Sequence, residues 1–223
     1  MLKLTAALLA TIIIAAGNLH AQTTPEQENT AAEKLPQKTN ARPENEREKE
    51  RFETADVKTM AAQCVKFDTE KGIFLIEFFP ESAPETVRNF LNLVSLTAFD
   101  ATTFSRIVPG FIIQGGSIAT RETKTNELVL RARRKIPDEP NLIKHERGIV
   151  SMARGDEPNS ASSNFFILLS EASHLDGKFA AFGRVYSGMD VVEEINTMPS
   201  KDEKPEDPVR IKAAELVPCQ AKS

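Results

Sequence analysis

The sequence predicts a mainly β domain, and three observations carry that reading. Short apolar runs rich in Phe, Ile and Val recur between turn residues, at 65–68, 72–78, 148–152, 164–169, 180–185 and 209–217. The run from Phe104 alternates, with Phe104 and Arg106 on one side of an extended strand and Ser105 and Ile107 on the other. One stretch has core-facing helical spacing instead. It starts near Pro84 and Glu85 and places Val87, Phe90, Leu91 and Val94 on one face.

Taken in order, the 223-residue chain opens with a stretch that reads as a secretory leader over residues 1–21. Lys3 precedes the apolar core 8–16, and Ala21 supplies a small residue before the cut; an uncleaved anchor is the alternative. The core is short for a membrane span, and no later segment qualifies. Residues 22–61 form a polar linker, because Gln, Glu, Asn, Thr and Pro dominate it and it buries too little to offset the entropy of ordering. The domain proper is expected over 62–220. Its first two strands, 65–68 and 72–78, join through a turn at 69–72, and Pro80 stops the second. After the Pro84 helix comes a turn at 97–100, then the arginine strand. Residues 117–142 are the least regular part, with 126–133 as a candidate strand. The basic residues Arg131, Arg133, Arg134 and Lys135 there adjoin acidic ones and read as a solvated loop.

Residues 104–116 are the most informative. Pro109-Gly110 turns the chain before Phe111, Ile112 and Ile113 resume it, and Gly115-Gly116 strips side chains where the strand ends. A guanidinium in a run this apolar needs a partner or a polar cleft. By chemistry alone Arg106 is either a functional group or a rim residue whose charge reaches water.

These residues resemble the signature of the cyclophilins, a family of peptidyl-prolyl isomerases. Two further blocks agree in order: Gly148 to Arg154 with Ser160 to Ile167, and Leu175 to Val185. The resemblance spans roughly residues 64–217. It implies a closed, eight-stranded antiparallel β-barrel capped by two α-helices, the second over 187–196 with Met189, Val192 and Ile195 inward.

The resemblance also implies a site. Arg106 matches the family's catalytic arginine, Gln114 the glutamine that helps hold substrate and orients it, and Phe111, grouped with these two, a position lining the proline pocket. Ile112, Phe166 and Leu175 match the lining of the proline pocket, with Phe179 at its edge. The backbone at Ala153 and Arg154 matches the segment that bonds the peptide before proline. Asn164 replaces a usual glutamine, Ile112 a methionine, and His174 a position often occupied by Trp or Phe. The last change implies weak binding of cyclosporin. Phe111 and Phe166 taken singly read as core residues; their joint fit with Arg106 and Gln114 reverses that. The first and last strands pair in such a barrel, so Cys64 and Cys219 would meet as a disulfide, with two free thiols as the alternative.

The remaining composition excludes other classes. A net charge of −4 with no dominant sign does not suggest a nucleic-acid partner. No histidine groups with the two cysteines as a metal site, and no serine sits in a glycine-framed nucleophile elbow. The expectation is an exported, monomeric isomerase, in the periplasm or otherwise secreted, that needs no cofactor. Its partners would be proline-containing segments of unfolded exported proteins, and it would not be an integral membrane protein once the leader is cut. The alternative is a catalytically weak peptide-binding or scaffold domain on the same fold.

Overall fold

The computed structural model describes residues 49–219; the leader 1–21 and linker residues 22–48 lie outside the described residues. Ten strands and four α-helices follow one another within it. Helix α1 (Val57–Ala61) leads into β1 (Gln63–Thr69) and β2 (Gly72–Phe78), then α2 (Pro84–Ser95). The short β3 (Arg106–Val108) and β4 (Ile112–Gly115) come next, followed by α3 (Asn126–Ala132). After them run β5 (Ile149–Met152), β6 (Phe165–Leu168), β7 (Ala181–Ser187) and α4 (Met189–Asn196). A small hairpin of β8 (Ser200–Lys201) and β9 (Lys204–Pro205) precedes the final strand β10 (Ile211–Pro218).

The main sheet is antiparallel in the order β10-β1-β2-β7-β5-β6-β4-β3, and it is open, not the closed barrel expected from the sequence. Eight strands curl strongly, yet no ladder joins the two edges. They meet only just outside β3, at the bridge between Thr103 and Arg210 and its flanking bonds, such as Phe104 N–H to Val209 O at 3.0 Å. The reason is local. Strand β3 has three residues before Pro109-Gly110 turns the chain, and its outward Ile107 N–H donates to Glu203 O at 2.8 Å. The β8–β9 hairpin therefore occupies the edge that a closing strand would need.

Alternation gives each strand two faces. Inside the curl lies a phenylalanine core of Phe67, Phe74, Phe99, Phe104, Phe165 and Phe182, all fully buried. Phe90 of α2 plugs it, with its ring 4.9 Å from Phe99 and 5.0 Å from Phe182. Pro84 stands at the helix start, where its missing N–H costs no bond. On the opposite face a second cluster gathers Ile112, Ile149, Phe166, Leu168, Ala172 and Ala181.

The segment 126–133 is a helix and not a strand. Thr125 caps it, its Oγ1 accepting from Leu128 N–H at 3.1 Å, and Leu128, Val129 and Ala132 then fall on one helical face toward the core. Arg133, Arg134 and Lys135 beyond the helix are exposed, as read from the sequence, but Arg131 is not part of a solvated loop. Arg131 has a side chain only 11% exposed and grips Glu50, with Nη2 donating to Oε2 at 2.9 Å. The same N-terminal segment buries Phe52, whose N–H donates to Asn92 Oδ1 at 2.8 Å, while Arg88 donates to Phe52 O and Ala55 O. Cys64 and Cys219 are joined by a disulfide across the β1–β10 pair.

Candidate functional site

The site is built on the outer face of the sheet, where one cross-strand row sets its register. Arg106 on β3 lies opposite Gln114 on β4, Gln114 opposite Phe166 on β6, and Phe166 opposite Ser151 on β5. One step along, Val108, Ile112 and Leu168 form the next row on the same face. Arg106 thus stands half-buried at the rim of an apolar patch. Ile112 and Phe166 form its buried floor, and Phe111, Ala153, Leu175 and Phe179 pack at its sides.

Two neighbours fix the head of Arg106. Its Nε donates to Glu203 Oε2 at 2.7 Å, and Nη1 reaches Gln114 Oε1 at 3.5 Å. The Glu203 carboxyl is held below its usual range by the hydrogen bond from Arg106 and by that residue's charge. Behind them, Asn196 of α4 pins the turn between β3 and β4. Its Oδ1 accepts from Gly110 N–H at 2.7 Å, and its Nδ2 donates to Val108 O and Ile112 O, each at 3.0 Å. Gly110 has φ +70°, a conformation that favours glycine at this turn.

The aromatic groups close around the patch. The Phe166 and Phe179 rings meet edge to face at 5.9 Å, and the Arg154 guanidinium lies over Phe179, 5.2 Å from its centre. His174 is exposed, its ring 5.9 Å from that of Phe111. Asn164 holds the neighbouring loop, its backbone oxygen accepting from Ala153 N–H at 2.9 Å. All eleven residues singled out from the sequence around the proline pocket therefore fall on this face or in the loops bordering it.

Beneath the patch runs a buried line that the sequence reading did not find. His145 Nδ1 lies 3.1 Å from Asp176 Oδ1, and Nε2 lies 3.1 Å from Ser151 Oγ. Asp176 also accepts from His145 N–H at 2.9 Å and pairs with Lys144 at 2.9 Å. These contacts, the backbone bond first and Lys144 next, hold its carboxyl down at about 2. Burial pushes the His145 imidazole down, against the pull of Asp176. The connectivity is that of a nucleophilic triad, but Ser151 and His145 are 0% and 1% exposed, so no substrate reaches them. The line instead ties β5 to the turn carrying Leu175 and Phe179. Glu203 and Asn196 were also missed. Glu203 sits in a charged run, 201–204, that looks like any solvated loop, and Asn196 ends a helix.

The chain matches the family model described as cyclophilin type peptidyl-prolyl cis-trans isomerase/CLD over residues 64–216. It is 38% identical over 141 residues to a peptidyl-prolyl cis-trans isomerase of Arabidopsis thaliana, covering 62% of each chain. With a peptidyl-prolyl cis-trans isomerase-like protein of Aspergillus fumigatus it shares 36% over 157 residues, covering 70% of this chain and 96% of the other. Among solved structures, a Cryptosporidium parvum cyclophilin type isomerase, crystallised in the presence of the dipeptide Ala-Pro, superposes with a TM-score of 0.61 at 30% identity. That likeness covers 69% of this chain and 98% of the other. The chain belongs to the cyclophilin-type peptidyl-prolyl cis-trans isomerases, a family of enzymes that act on proline-containing chains.

Proposed function

We propose that this protein catalyses rotation about X–Pro bonds in exported proteins, with Arg106 stabilising the twisted amide. A planar amide is held by delocalisation of the nitrogen lone pair, which sets a barrier of about 20 kcal/mol. Twisting localises that pair on the prolyl nitrogen. A donor aimed there stabilises the twisted state more than either planar one, which is the differential binding that catalysis needs. No proton is transferred and no cofactor is required.

The observation that carries the reading is the shared row of Arg106, Gln114 and Phe166 on the apolar outer patch. Ile112, Phe166, Leu175 and Phe179 offer a cup for the ring, with Phe111 beside it. Gln114 and Glu203 together leave the guanidinium edge of Arg106 with donors to spare. His174, in place of a large aromatic, removes stacking area and favours weak cyclosporin binding. The Cys64–Cys219 disulfide fits an oxidising compartment, in line with an exported, periplasmic protein.

The test is isomerisation of an X–Pro peptide by the wild-type protein and by Arg106→Ala. Rapid turnover that collapses in a folded Arg106→Ala variant supports the mechanism. Turnover indifferent to Arg106 overturns it, and peptide binding without turnover would favour a scaffold role.

A further inference from the structure

Ahead of the residues that match the family, 64–216, a strap of chain is tied to the domain. Residues 50–55 lie against α2 and the end of α3, and both hold them. Phe52 is buried, and Arg88 of α2 donates to Phe52 O at 2.9 Å and to Ala55 O at 2.7 Å. Glu50 meets Arg131 of α3 as a two-pronged pair, Nε on Oε1 and Nη2 on Oε2, with side chains 12% and 11% exposed. Two parallel bonds fix the direction of the guanidinium as well as its place.

Arg131 passes the contact on. Its remaining nitrogen, Nη1, donates to Asn89 Oδ1 at 2.9 Å, and Asn89 Nδ2 donates to Ser162 O at 2.6 Å. Asn89 is buried, so water does not compete for its amide. Ser162 stands at one end of the loop 153–163, and Ala153 and Arg154 form the other. Ala153 packs at the side of the apolar patch, and Arg154 lies over Phe179. A second route runs through the chain that follows α3. Ile136 N–H donates to Ala161 O at 3.0 Å. Asp138 and Asn159 each donate a backbone N–H to the other's side chain, at 2.8 Å and 3.0 Å. Both routes leave the end of α3 and arrive on one loop.

We infer that Glu50 is a positioning residue for substrate: it fixes Arg131, and thereby the loop 153–163 that walls the proline cup. The inference rests on that cup being the site proposed above. Arg106, Gln114 and Phe166 stand on β3, β4 and β6, which neither route crosses, so the strap bears on affinity and leaves the rotation step alone. Without Glu50 the Arg131 charge is left half-buried and unpaired on that side, a costly state that it relieves by turning toward water and releasing Asn89.

The experiment uses the full chain. Calorimetry gives affinity for a proline peptide, kcat and KM are measured on the same peptide, and urea unfolding gives stability. In Glu50→Ala the dissociation constant and KM should rise together, roughly threefold to tenfold, with kcat within about twofold of wild type. Arg131→Lys keeps a charge beside Glu50, but one ammonium cannot span Glu50 and Asn89 as the fork does, so binding should weaken similarly. The double variant should be no worse than either, since both cut one path. Glu50→Gln, which keeps the shape and an acceptor, should recover most of the affinity. If Glu50→Ala does not fold, Arg131→Lys decides. Unchanged affinity in the folded variants, even with a lower urea midpoint, makes the strap a stabilising element only and overturns the inference. A fall in kcat with KM unmoved overturns it as well. A wild type that binds peptide without turnover sinks the isomerase mechanism, and the dissociation constants still decide the role of Glu50.

Discussion

Arg106 and Glu203 are held together twice, once through side chains and once through the backbone. The guanidinium Nε donates to the Glu203 carboxylate at 2.7 Å, and the residue after the arginine, Ile107, donates its N–H to Glu203 O at 2.8 Å. The tip of the β8–β9 hairpin therefore sets both the edge of β3 and the direction of its charged group.

Replacing Glu203 with Gln keeps the shape and removes the charge. We expect kcat/KM on an X–Pro peptide to fall by less than about tenfold, since Gln114 still engages the guanidinium, whereas Arg106→Ala should lose roughly 10²–10³-fold. Arg106→Lys should fall nearer the alanine variant, because one ammonium cannot reproduce the planar fork that engages Glu203 and Gln114 and still leaves donors free. Stopped-flow isomerisation of the three variants, each checked for fold by circular dichroism, measures this. Equal losses in all three would remove any separate role for Glu203.

Asn196→Ala should destabilise and slow the enzyme together. The side chain is 5% exposed and satisfies Gly110 N–H, Val108 O and Ile112 O, so its removal orphans three backbone groups at the turn beside the site. A cost of about 2–4 kcal/mol is expected in urea unfolding. A change within experimental error would mean that water replaces the amide without loss.

Acid should weaken the fold in two stages. His145 has its folded value pushed below the unfolded one, near 6.5, so the folded state binds fewer protons and stability declines as pH falls from about 6.5. Asp176, held at about 2, contributes stability that is full above its unfolded value near 3.9 and is lost as pH falls toward 2. Denaturant midpoints measured from pH 7 to pH 3 should therefore drop from the start of that range. His145→Gln should flatten the upper part, and an unchanged profile in that variant would assign the loss elsewhere.

The disulfide closes a separation of 155 residues. In the chain-entropy account, removing it with Cys64→Ser and Cys219→Ser costs up to about 5 kcal/mol. Guanidinium unfolding of the double variant against the oxidised wild type is the check, and equal stability would show that the crosslink does not measurably constrain the unfolded chain.

Strands and the α2 helix were legible because their signals are local. Alternation marks residues 104–107, and Pro84 with Val87, Phe90 and Leu91 marks a helix start and its buried face. The face carrying Phe111, Ile112, Gln114 and Phe166 follows from the pleat once the strands are known. Other features depend on distant partners. The open edge exists because two-residue strands at 200–201 and 204–205, too short for any period, reach β3 first. Helix α3 has apolar residues in a short run that fits either period, and Thr125 was the signal that decides it. The line from Asp176 through His145 to Ser151 joins residues 31 and 6 positions apart, and nothing near any of them in sequence announces the others.

The pairing of β1 with β10 fixes the order in which this molecule is completed. Strand β1 is flanked by β2 and by β10, so one of its two ladders waits until residues 211–218 exist. Emerging from a ribosome, the chain gathers local pieces such as β2 and α2 but cannot finish its sheet. Glu50 likewise waits for Arg131, and Cys64 for Cys219. Pairing at this sequence separation predicts slow completion of the sheet, because loop closure must precede the contacts that reward it. A polypeptide with this wiring cannot complete its main sheet until β10 has been made.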